Sequence, residues 1–221
     1  MNDFAEHLPL SNRPRGDESA VVGGWARETA AALREVGRIL GAHPEIASSP
    51  SGDGRQDVAD AVRTLITRLR RRPHERLLAI LGAIDTPSPA LAAVDTGRLP
   101  ELLAHDAARL TSERRGPGVR ALGDAVVLLV DVAGRHGLTD ATDPQTLGAV
   151  ALDRALRERA TFQQTLQRYT LVAAEGGWRI GSGAARRCDD RDIVLFLAGR
   201  ASFPDELPEP PRDGGSGLPT R

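Results

Sequence analysis

The sequence predicts an all-α protein, a compact bundle of about six to eight helices. Apolar residues recur at three- and four-residue spacing over most of positions 17–199. Gly and Pro mark short connections between these periodic segments, which implies largely antiparallel neighbours. No series of alternating segments supports a sheet.

The first helix is expected from about Asp17 to Leu40. Asp17 can cap its first turn, and Gly41 sits where a terminating glycine belongs. Val22, Trp25, Thr29, Ala32, Val36 and Ile39 follow heptad spacing, so this helix should lie along a neighbour. A second helix, Gln56 to Arg72, repeats the spacing with Val58, Val62, Leu65 and Leu69. Pro73 opens a third helix to about Ile84, and Ser88-Pro89 reads as cap and first position of a short one to Val94. Leu99 to Arg114 is the fifth. Val119 to Arg135 is apolar nearly all round and is the expected central helix. Asp143-Pro144 starts a long helix with Ala151, Ala155, Phe162, Leu166 and Tyr169 on one face.

Positions 170–182 admit two readings. The preferred one continues the helix to Ala174; the other makes two strands around Gly176-Gly177. Asp189 or Asp190 then caps a last helix ending near Gly199. Positions 17–202 are expected to form a single domain. Residues 1–16 read as a disordered segment and residues 203–221 as a flexible Pro/Gly-rich tail.

Composition excludes several chemistries. All 29 basic residues are arginine, against 30 acids. Without lysine there is no Schiff-base catalysis, no lysine-held pyridoxal phosphate and no P-loop lysine. One cysteine, Cys188, excludes an intramolecular disulfide and multi-cysteine metal sites. Seven aromatic residues are too few for an extended base-stacking platform. The wealth of Ala and Arg suits a GC-rich genome of actinobacterial type. No secretory signal or membrane-spanning stretch is read, so the expected location is cytoplasmic.

Asp106 is the most informative single residue. It falls within the apolar arc of Leu99, Leu102, Leu103 and Leu110, where a carboxylate needs a partner; Arg109 is the nearest candidate. The alternative role is a ligand or general base. His74, then His105-Asp106, then Asp124 or Asp131 resembles the ligand order of HD-type metal phosphohydrolases. That resemblance implies a divalent metal activating water for attack on phosphorus. No metal or other cofactor is expected here, and the catalytic assignment of His74, His105 and Asp106 is only an alternative.

Asp124 and Asp131, with Arg120 and Arg135 at i,i+4 spacing, form a narrow stripe on the central helix. It reads as a solvent-facing strip, or as the wall of a ligand groove. Arg63, Arg68, Arg70, Arg71, Arg72 and Arg76 are the densest basic run, and most lie where cations complement a helix C-terminus. The other role for this run, Arg70, Arg71 and Arg72 above all, is contact with an acidic or phosphorylated partner. Nucleic acid is not expected as a partner, because the net charge is −1 and acids flank the run.

Positions 181–187 (GSGAARR) could cradle an anion. The cluster at 188–192 (CDDRD) looks superficially like a terpene-synthase aspartate cluster but is better explained by helix capping. Arg186 and Arg187 beside Cys188 would favour its thiolate. The leading expectation is a helical-bundle binding protein: a regulatory, scaffold or accessory subunit whose heptad helices contact a protein partner or a second copy. The alternative is a small helical enzyme, either HD-like or cofactor-free with an apolar pocket.

Overall fold

A computed structural model describes residues 25–52, 54, 56–70, 89–113, 117–157 and 159–208. The helix expected from Pro73 to Ile84, the start of the first helix with Val22, the run members Arg71, Arg72 and Arg76, and the HD-like candidate His74 lie outside the described residues.

Helix α1 is Ala26–Ala42, followed by a 3-10 turn at Pro44–Ser48. Helix α2 is Val58–Arg70, α3 the short Pro89–Ala92 and α4 Leu99–Ser112. Helix α5, Val119–Arg135, matches its sequence-predicted bounds. Helices α6, Pro144–Arg157, and α7, Arg159–Arg168, occupy the span expected as one long helix. Strands β1, β2 and β3 are Tyr169–Ala173, Arg179–Gly181 and Ala184–Cys188, and α8 is Asp190–Leu197.

The heptad seam is spent inside the chain. Thr29, Ala32, Val36 and Ile39 are buried, and α1 packs most extensively on α4 and next on α5. An apolar stripe at this spacing leaves solvent only by finding a neighbouring stripe. Here the neighbours are in the same chain, so the seam is not a surface for a partner, which corrects that expectation. Helix α5 is the centre: every residue from Ala125 to Ala133 is buried, and it also meets α2, α6 and α8.

The all-α expectation is corrected by a small sheet. The protein is mostly helical, with three strands in the order β2-β1-β3. Strand β1 runs antiparallel to β2, with Leu171 opposite Ile180, and parallel to β3, with Leu171 opposite Arg186. The preferred continuation of helix to Ala174 therefore fails, and the two-strand alternative around Gly176-Gly177 holds. Thr170, Leu171 and Val172 suit a pleated, half-buried surface, and Leu171 is wholly buried. The returning chain satisfies an end carbonyl of α7: Ser182 N donates to Leu166 O at 2.8 Å. That approach requires glycine. Gly181 has φ +115°, and a Cβ there would collide with the Tyr169 carbonyl oxygen. Strand β3 had no sequence signature, because AARRC lacks apolar alternation and joins the sheet by backbone pairing.

Capping at the last helix is as expected. Asp189 accepts from Arg191 N and Asp192 N. Asp190, buried, accepts from Glu175 N at 3.0 Å and Gly176 N at 2.9 Å, which ties the β1–β2 turn to α8. Phe203 to Pro208, placed in the tail on sequence grounds, lie against the sheet. Leu207 N donates to Arg187 O, and Arg187 donates to Pro208 O. Among the described residues, no helix is long and apolar enough to cross a membrane.

Candidate functional site

Asp106 is fully buried on α4, as its place in the leucine arc predicts. Arg70, at the end of α2, donates to both carboxylate oxygens at 3.0 and 3.1 Å, and Arg109 donates at 3.3 Å. The guanidinium fork suits a carboxylate, and a lysine could not make the same paired contact. This clamp joins α2 to α4 and gives Arg70 a structural task besides complementing the helix dipole. His105, the preceding residue, is exposed. The two members of the HD-like pair thus face different surroundings, and a metal at Asp106 would have to displace two cations. His74 lies outside the described residues, and among those described no group of His, Cys, Asp and Glu could hold a metal ion.

The stripe on α5 is corrected in two respects. Asp131 is not solvent-facing: it is 3% exposed, accepts from Arg135 Nε at 2.8 Å and from Gly52 N at 2.7 Å. Gly52 must be glycine, because a Cβ there would strike the Asp131 carboxylate. Asp124 pairs with Arg154 at 2.5 Å and Arg68 at 3.3 Å rather than with Arg120, which is exposed. The packing of α6 and α2 on α5 brings those distant arginines closer than the i,i+4 neighbour. Asp124, Arg68 and Arg154 line a cavity of about 150 Å³ with Gln56, Thr64 and Arg200.

The 181–187 stretch is not an anion cradle. It becomes the end of β2, a close turn against the Arg168 carbonyl and strand β3. Cys188 is buried, and burial pushes its thiol up against the lowering influence of Arg186, which corrects the expected thiolate.

Asp140 and Arg191 form another buried clamp, with Arg191 Nε donating at 2.8 Å. Burial pushes the Asp140 carboxyl up, but hydrogen bonds from Thr142 and Arg191 outweigh it and hold the carboxyl below the usual aspartate range. A carboxylate with a depressed folded pKa stabilises the fold above its unfolded pKa and loses that contribution as pH falls through the folded pKa. Asp192, pushed up by burial and by Asp189 and Asp205, works in the opposite sense. Thermal unfolding followed by circular dichroism should therefore show the midpoint falling below about pH 4. In Asp140→Asn the fall should be shallower, from a lower starting value.

The sequence reading missed an aromatic patch. Three of the four phenylalanines and the single tyrosine gather at the sheet end of the molecule. Ring centroids run Phe162 to Phe196 at 4.9 Å, Phe196 to Phe203 at 5.3 Å and Phe203 to Tyr169 at 5.2 Å. The Arg186 guanidinium lies 4.9 Å from the Phe203 ring, and that of Arg168 lies 5.5 Å from the Tyr169 ring. Phe162, Tyr169 and Phe203 are each only half-buried. Leu156, just upstream of α7, is 66% exposed, and α7 has no buried side chain among those described. The available signal was distributional: five of seven aromatic residues fall between positions 162 and 203.

No protein-family model, curated protein or solved structure matches this chain.

Proposed function

We propose that this is a cytoplasmic binding protein, a regulatory, scaffold or accessory subunit that works through protein contact. The observation that supports it is the half-buried aromatic patch at Phe162, Tyr169 and Phe203, flanked by Arg168, Arg186 and the exposed Leu156. Aromatic residues and arginine are the types most enriched where binding energy concentrates. Rigid rings bury large area with little loss of side-chain freedom, and guanidinium faces stack on them. The contact surface is thus the α7–sheet end and not the heptad seam. The enzyme alternative has less support, since the carboxylate it would use at Asp106 is already held by two guanidiniums.

The test is affinity capture from the cells that make the protein, with sedimentation analysis of the purified chain to detect a second copy. A stoichiometric companion, or a dimer, should be retained by the wild type and by the control Arg34→Glu. It should be lost from Leu156→Glu and Phe162→Ala. A monomer without a companion, or equal retention by the patch variants, would overturn the reading.

A further inference from the structure

The cavity beside Asp124 is a different place from the aromatic patch. It is built from four separate parts of the chain. Helix α2 supplies Thr64 and Arg68, α5 supplies Asp124, α6 supplies Arg154, and the segment after α8 supplies Arg200. Its lining carries three guanidiniums and one carboxylate. Asp124 takes a hydrogen bond from Arg154 on one oxygen and from Arg68 on the other, so a single carboxylate spaces two guanidiniums. A guanidinium has five N–H donors, and one of those on Arg154 goes to Asp124. Arg154 Nε is buried and has no acceptor. A buried donor left unpaired is costly, and its presence in a native fold calls for an explanation. Apolar side chains, Leu65 and Val127 among them, close part of the wall, which strengthens electrostatic attraction inside.

We propose that this cavity binds a phosphate group, either free phosphate or the phosphoryl end of a small phosphomonoester. A tetrahedral dianion presents several acceptor oxygens at once. It can bridge guanidiniums contributed by separate elements better than a planar monoanionic carboxylate does. The volume of about 150 Å³ admits a phosphoryl group and a small attached body but no nucleotide. Among the basic residues read from sequence as contacts for a phosphorylated ligand, Arg68 faces this cavity, and Arg154 and Arg200 join it from remote positions.

Side-chain NMR of the full chain tests this directly, through the Nε–H signals of its arginines during titration with inorganic phosphate at constant ionic strength. The Arg154 signal should move and saturate. Arg200→Gln, which leaves both hydrogen bonds to Asp124 in place, should weaken the apparent affinity by about tenfold or more. Arg154→Gln, followed through the Arg68 and Arg200 signals because its own is lost, should abolish saturation; if that variant is unfolded, Arg200→Gln alone decides. A glycerol phosphate arm distinguishes the two sources: tighter binding than inorganic phosphate assigns the site to a phosphomonoester, and weaker binding to the free ion. A linear drift matched by acetate or chloride, or saturation unchanged in Arg200→Gln, would overturn the proposal.

Discussion

Replacing both Arg70 and Arg109 by alanine should destabilise the protein by about 3–5 kcal/mol, the range for leaving a buried charge without its counter-charge. Asp106 is 0% exposed and takes its side-chain hydrogen bonds from these two residues. Either single variant should cost less, because the remaining guanidinium still reaches the carboxylate. Asp106→Ala should also cost less than the double variant. The guanidiniums it releases are each about a third exposed and can turn to water. Adding Asp106→Ala to the double variant should therefore restore at least about 1 kcal/mol, a non-additivity expected of groups in one network. Urea unfolding of the four proteins measures this. A double variant within about 0.5 kcal/mol of wild type would show that Asp106 draws its compensation from elsewhere.

Trp178→Ala should cost about 3–5 kcal/mol, the usual range for deleting a buried aromatic side chain. The indole is 3% exposed, lies against Gly148 of α6 and donates from Nε1 to Pro144 O at 2.9 Å. It is the contact that seats the β1–β2 turn on the helical layer. Trp178→Phe keeps most of the buried area but loses the hydrogen bond, so it should cost less, leaving Pro144 O without this donor. Trp25 is the other tryptophan, and the fluorescence it retains in Trp178→Ala provides the unfolding signal. Equal stability of the alanine variant and the wild type would contradict the packing described.

The helices were legible because their signals are local. Val119 to Arg135 carries its apolar run, and the Asp143-Pro144 and Asp189 signals mark starts that lie within one turn of the residues involved. The sheet was not legible in the same way. Residues 169–173 continue an apolar helical face, and what turns them into a strand is pairing with β2 and with β3, whose own sequence is polar. The buried carboxylates were half legible. Periodicity placed Asp106 inside, and its neighbour Arg109 was the natural partner, but Arg70 sits on another helix and only packing supplies it. Asp124 shows the same limit: sequence offers Arg120 one turn away, whereas the fold delivers Arg68 and Arg154. Phe162, Tyr169 and Phe203 come from a helix, a strand and the segment after the last helix, so their meeting depends on the tertiary fold.

The claim that this protein acts through its aromatic–arginine end is tested most directly by a photo-crosslinking side chain placed at position 156, with a matched control at position 34 on α1. Both positions are exposed. Irradiation in the cells that make the protein should give one discrete adduct at position 156, identified by mass spectrometry as a protein partner or a second copy, and none at position 34. No adduct at position 156, or the same adducts at both positions, would contradict the account.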